Sequence, residues 1–476
     1  MALQETIALE SLANANAFTK HSSEAKFNRI RNDDEDVEKY RSSGESTGVV
    51  NGPIIETWKS PSINKFRVGA TYFAFITLGM NDATPGALLP YLEEYYHKSY
   101  TLISLVFLAP FVGYTIAAVL NQTVHSKFGR FGVAVIGPGL QFIAYSLVCW
   151  GPPYPVLIIA FAISGLGIGC QDSGWCTFIG QLAESNKLQG FLHGFYGVGA
   201  TISPSVATVF VTKGHYSWHY YYFIMMGLVA VSFVVQVLAF RGENGAKYLA
   251  SSMAEAPTSG PQRSQTRRAL SNKTVWFLCL FLAIYVGAEV TVGGWLLTFM
   301  INIRNGERTN MGYVVSGFWI GLTIGRVTLG FVSEKYGEKK MLTIYLLFSI
   351  AMEFLFWLIP NLVVSAVAIA LLGFFIGPAF PTAMVVATKV LPRSIQVAGI
   401  GFAAALGGCG AAFFPWMTGA IASSKGVSVL QPIVLALLIV LIMAWVLIID
   451  GMGTIWKAEK TITHSILQAF HKSGWN

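Results

Sequence analysis

The chain alternates between long apolar runs and short polar breaks. Twelve such runs can be drawn, at 67–91, 101–122, 131–150, 155–182, 190–212, 220–240, 274–300, 312–332, 341–359, 361–390, 396–422 and 430–450. A run of about 20 residues crosses ~30 Å of hydrocarbon as a helix rising 1.5 Å per residue. Residues 1–65 are polar, hold ten of the 24 acidic residues and include Asp33-Asp34-Glu35-Asp36. That composition predicts a disordered, solvated tail. A second polar stretch, 241–273, is rich in Ser, Gly, Pro and charge and divides six runs from six, and 451–476 forms a polar end. The pattern predicts an all-α membrane protein of twelve transmembrane helices in two bundles, 66–240 and 274–450.

Composition and charge sharpen the picture. The 476 residues are 54% apolar and 12% charged, about half the charge of a soluble protein, which excludes a soluble enzyme. With both termini cytoplasmic, the inside loops carry 14 Lys and Arg and the outside loops 5, as the positive-inside rule asks. The net charge of +8 thus follows the loops, and no nucleic-acid partner is expected. No apolar segment precedes the first run, which is expected to serve as its own insertion signal. Five cysteines sit in or beside apolar runs, without a CxxC or a His/Cys cluster of metal-ligand spacing, so no metal or cofactor is expected. The glycines at 165–169 and 407–410 fall inside runs, no GxxxxGK[ST] occurs, and an ATP-driven pump is excluded.

The two halves are copies. A shift of 208 residues lays Gly113–Gly129 on Gly321–Gly337 and pairs Gly79 with Gly287, Gly86 with Gly294, Gly165 with Gly373 and Gly169 with Gly377. One offset over three runs is the mark of a parallel repeat, and a substrate site is expected on the axis between the copies.

Charges inside runs are costly and usually face a cavity or a partner. Asp82 follows Asn81 and shares its helix face with Pro85 and Gly86. Asp172 follows Gln171 and precedes Trp175, an acid beside an indole, which is how proteins hold sugars. Glu289 has Tyr285 one turn before it. Each of these acids reads either as a proton or hydroxyl acceptor or as a helix–helix hydrogen bond. Arg326 is expected to pair with Glu334 two turns along its helix, the alternatives being Glu289 or an anionic substrate. Glu353, among Phe354, Phe356 and Trp357, reads as structural or snorkelling. His193 reads as a packing histidine or a proton relay.

Between the eighth and ninth runs the chain reads Gly330-Phe-Val-Ser-Glu334-Lys335-Tyr-Gly337-Glu338-Lys339-Lys340. This resembles the cytoplasmic signature loop of the major facilitator superfamily, and the resemblance covers 67–450. It implies cytoplasmic gating by Glu334, Lys335 and Arg326, with a latch across the two halves. The N-terminal copy has Gln122 and Ser126 at the Gly and acid positions and keeps Lys127, Gly129 and Arg130, so Lys127 and Arg130 are the gating residues there. Asn81-Asp82-Ala-Thr-Pro-Gly86 and Tyr285-Val-Gly-Ala-Glu289 are similar to the fucose–proton symporter branch and its hexose-carrying relatives. In that branch acids of the first and fourth spans serve proton coupling and sugar binding, which implies those roles for Asp82 and Asp172.

The expected protein is therefore a secondary transporter, a proton-coupled symporter of a hexose or similar polar metabolite, with sodium the alternative coupling ion. Its substrate or coupling site is expected at Asp82, Asp172, Glu289, Asn81, Gln171, Trp175 and Tyr285. A monomer in the plasma membrane, partnered by the lipid bilayer and a small-molecule substrate, is expected. The alternatives are a proton-antiport exporter of an amphipathic metabolite or drug and a non-transporting nutrient sensor. No nucleophile–base set supports an enzyme.

Overall fold

The computed structural model describes residues 56–247 and 267–448. Of the tail expected to be disordered over 1–65, residues 1–55 lie outside the described residues, as do the middle of the linker (248–266) and the polar end at 451–476, whereas 56–65 are ordered and lead into the first helix. Every regular element among the described residues is helical. In chain order these are α1 (Ile63–Tyr96), the single turn α2 (Tyr100–Ile103), α3 (Leu105–Val148), α4 (Tyr154–Gly180), α5 (Ser185–Thr212), α6 (Tyr221–Phe240), α7 (Lys273–Asn302) and α8 (Arg308–Tyr336). They continue with α9 (Glu338–Leu358), α10 (Leu362–Ile376), α11 (Ala379–Val390), α12 (Arg393–Lys425) and a last helix, α13, within Val427–Ile448.

Eleven segments among the described residues are long and apolar enough to cross a membrane, and the chain is an integral multi-pass membrane protein. Helix α2 with the first part of α3 makes one of the eleven, the rest of α3 makes a second, and α10 with α11 makes another. The first expected span, α1, is not among them. Its middle carries Thr77, Asn81, Asp82, Thr84 and Pro85, which lower its apolarity. It is nevertheless lined with buried residues from Asn64 to Leu92, so its surroundings are largely protein rather than lipid. The chain is already held before α1 begins. The Ala183 amide donates to the Glu56 carbonyl (2.9 Å) and the Asn64 amide to the Glu56 carboxylate (2.9 Å).

The repeat is visible in the packing. Helix α1 lies on α5 as α7 lies on α12, and α3 lies on α4 as α8 lies on α10. A Cβ placed on Gly113 would stand 1.9 Å from the Ala162 carbonyl oxygen, and one on Gly321 would stand 2.0 Å from that of Ala370. All four positions obey the 208-residue shift. Small residues let these backbones touch, which is how helices associate where no hydrophobic driving force separates lipid from protein. The signature-loop glycines obey it too: Gly129 has φ 68° and Gly337 φ 95°, a region open to glycine at little cost.

The bundle has two unlike ends. At the far end, where α1 stops, the halves are pinned together. Arg308 forms an ion pair with Glu94, with one guanidinium contact at 2.9 Å, and lies over the Tyr91 ring at 5.3 Å. The Thr101 amide and hydroxyl meet Ser423 Oγ (both 2.8 Å), Asn302 donates to the Tyr100 hydroxyl (3.1 Å) and Thr309 to Thr212 (2.8 Å). Deeper in, Ser205 meets Ser316 (2.7 Å). At the near end, where α1 begins, the ion pairs among the described residues stay within one half. Glu243 accepts Arg67 (2.8 Å), Arg130 (3.0 Å) and Lys247, while Lys389 pairs with Glu338.

Candidate functional site

The polar middles of α1, α4, α5, α7 and α8 form one cluster. Asp82 accepts the Tyr196 hydroxyl from α5 (2.8 Å) and the Asn81 amide (3.0 Å). Asn81 in turn accepts the Tyr145 hydroxyl from α3 (2.7 Å) and Ser164 from α4 (3.2 Å). Asp172 accepts the Tyr114 hydroxyl from α3 and lies 3.6 Å from the Cys176 thiol. On the other half, Arg326 places Nη2 on both Glu289 oxygens (2.8 and 2.7 Å) and on the Tyr285 hydroxyl (3.0 Å).

These groups act on one another electrostatically. Asp82 interacts with the charges of Asp172 and Glu289, Tyr196 with those of Asp82, Glu289 and Arg326, and His193 with those of Asp172 and Arg326. The guanidinium of Arg326 is bound to Glu289. Asp82 and Asp172 have hydroxyl and amide donors but no ion pair among the described residues. Arg326 keeps donors in reserve, since its buried Nε has no partner among the described residues.

The structure separates the expected residues into two sets. Asp82, Asn81, Asp172, Glu289 and Tyr285 belong to the cluster. Gln171 and Trp175 do not. Gln171 is fully buried and lies in an amide chain with Gln141 (2.6 Å) and Gln236 (3.0 Å). Trp175 is also fully buried, donates to Gln236 (3.1 Å) and stacks on Phe240 with ring centroids 4.5 Å apart. Asp172 looks toward α3 whereas Trp175 looks toward α6, so the expected sugar-holding acid and indole are apart.

The expected gating residues divide in the same way. Arg326 pairs with Glu289, not Glu334, because eight residues along a helix span ~12 Å while α7 lies beside α8. Glu334, Lys335 and Lys127 are exposed and make no ion pair among the described residues, Lys335 lying over the Tyr336 ring at 5.3 Å. Arg130 binds Glu243 and Gln181 of its own half, just as Glu338, its equivalent under the repeat, binds Lys389, the equivalent of Gln181. In this arrangement the ion pairs made by the signature loops among the described residues brace each half internally. Glu353, 1% exposed, does not snorkel.

Sequence reasoning missed Tyr114, Tyr145 and Tyr196, which supply the hydroxyls of the cluster, and Glu243, which gathers three cations. Burial opposes ionisation of Glu243, but the Lys247 hydrogen bond and the Arg67 and Arg130 charges outweigh it and hold the carboxyl below the ordinary value of 4.5.

Comparison with known proteins fits this geometry. The family model for the Major Facilitator Superfamily matches residues 71–308 and 289–462. Bypass of stop codon protein 6 of Saccharomyces cerevisiae is 33% identical over 393 residues, 76% of this chain and 78% of the yeast protein. The glucose/mannose transporter GlcP of Bacillus subtilis is 24% identical over 330 residues, 68% of this chain and 80% of its own. Among solved structures, the fucose:proton symporter FucP of E. coli superposes with a TM-score of 0.58 at 16% identity, over 80% of this chain and 98% of its own. Cluster, internal repeat and sequence agree: the chain belongs to the Major Facilitator Superfamily.

Proposed function

We propose that this protein is a secondary active transporter that carries a hexose or a similar small polar metabolite together with protons. The observation that carries the reading is the pair Asp82 and Asp172, carboxyls in mid-helix that receive hydroxyl donors but no cation. A charge there is expensive, and a proton on either one removes it. Protonation therefore changes the energy of exposing the cluster to one side or the other, and an equilibrium between two states shifts by the difference. Arg326, with Nε unspent, and the tyrosine hydroxyls offer donors to the oxygens of a polyol, while the carboxylates accept from its hydroxyls.

In this reading α1 also crosses the membrane, making twelve spans with both termini in the cytoplasm and the near end inside. The halves 66–240 and 274–450 rock about the cluster, and the carrier works as a monomer in the plasma membrane. The similarity to a glucose/mannose transporter supports a sugar as cargo. The test is radiolabelled hexose uptake into proteoliposomes with an inward proton gradient, an inward sodium gradient or neither. Accumulation driven by protons alone is the expected result. Accumulation driven by sodium would replace the coupling ion, and no accumulation in folded, oriented protein would overturn the hexose reading in favour of export.

A further inference from the structure

Glu353 stands outside the cluster. It sits on α9 with 1% exposure, and neither carboxyl oxygen has a hydrogen-bond partner among the described residues. Helix α9 packs against α8, α10 and α11, and the charges on those helices are engaged or distant. Arg326 is held by Glu289, Arg308 by Glu94 and Lys389 by Glu338, and Glu334 and Lys335 are exposed at the near end. Helix α10 carries no titratable side chain, but its Ser365 hydroxyl is likewise buried without a partner. Arg304, which approaches the end of α9, donates instead to the carbonyls of Phe356 (2.6 Å) and Trp357 (3.0 Å). Among the described residues, no ion pair or hydrogen bond reaches the Glu353 carboxyl.

An ionised carboxylate so placed would lack every form of compensation that buried charges need. We propose that Glu353 is a proton-holding site of its own, a neutral carboxylic acid sealed inside the α9–α10 hairpin and a target for hydrophobic carbodiimides. The acid supplies both halves of that reaction. Its proton passes to one carbodiimide nitrogen as a carboxyl oxygen bonds to the central carbon. Away from water, the acyl group then leaves that oxygen for a nitrogen, and the N-acylurea that remains is the sum of the two reactants. An ionised carboxylate lacks the proton for the first step, and a reagent confined to water does not reach the hairpin. The inference is independent of the substrate.

The full chain in liposomes at neutral pH is treated with dicyclohexylcarbodiimide or with a water-soluble carbodiimide, then digested and analysed by mass spectrometry. The hydrophobic reagent is expected to modify Glu353 at least about tenfold more than the soluble one, because only the former partitions to a site sealed from water. Equal labelling by both reagents, or an unlabelled Glu353 beside labelled carboxyls elsewhere, overturns the proposal. Infrared difference spectra give a second readout: Glu353→Gln should remove a protonated carboxyl band, and its persistence counts against the proposal. The labelling ratio needs no substitution, so it decides the matter even where the variant folds poorly.

Discussion

Glu289 and Arg326 depend on each other more than either depends on anything else in the bundle. Removing one partner of a buried ion pair strands the other, at a cost of about 3–5 kcal/mol. Glu289→Gln is therefore expected to lower the thermal midpoint sharply, and adding Arg326→Met should recover most of the loss. Asp82→Asn and Asp172→Asn strand no cation, so they should melt close to the parent while losing gradient-driven accumulation. Thermal unfolding in detergent beside uptake in liposomes separates the two behaviours. Trp175→Phe makes a third case: it should lower stability by about 1 kcal/mol through the lost Gln236 hydrogen bond and leave the hexose KM unchanged. A raised KM with unchanged stability would return Trp175 to the substrate. At this scale the acids were legible because a charge inside an apolar run is conspicuous. The tyrosines were not, because a ring counts as apolar in any hydropathy pattern and only the neighbouring helix reveals its hydroxyl's target. The direction of Trp175 was hidden for a related reason: three residues along a helix share a broad face, yet α3 and α6 lie on different parts of it.

Helices and loops were the most legible level. Eleven of the expected spans reappear as apolar helices, and the 208-residue shift predicted from glycines returns as equivalent backbone contacts at Gly113 and Gly321. The shift could not say what the signature loops bind, because their partners, Glu243, Gln181 and Lys389, come from segments that show no charge motif. Glu243 carries a prediction at this scale. Its carboxyl is held below the ordinary value of 4.5, so its contribution to stability is present above that value and fades as pH falls through the native one. The stability lost in Glu243→Gln should thus be full at neutral pH and shrink in acid, read as the difference in thermal midpoint across a pH series. A difference that stayed constant into acid would mean that Glu243 acts through packing rather than charge.

The whole molecule is asymmetric in a way that no run of residues announced. The two halves are joined by side-chain hydrogen bonds at the far end and in the deeper Ser205–Ser316 contact, whereas the ion pairs of the near end close on themselves. Two packings of the same halves lie within reach of each other when the contacts that hold one of them are few, polar and partly exposed, as Thr101–Ser423 and Arg308–Glu94 are. The far end is then the part that must part if the cluster is to reach that side of the membrane. Thr101→Cys with Ser423→Cys puts two thiols where two hydroxyls meet at 2.8 Å, close enough for a disulfide after a small rotation. Oxidation should stop uptake, reduction should restore it, and either single variant should be insensitive to both. Full flux in the oxidised double variant would mean that the far end never opens during transport, and the asymmetry would then be a fixed feature of the fold rather than one half of a cycle.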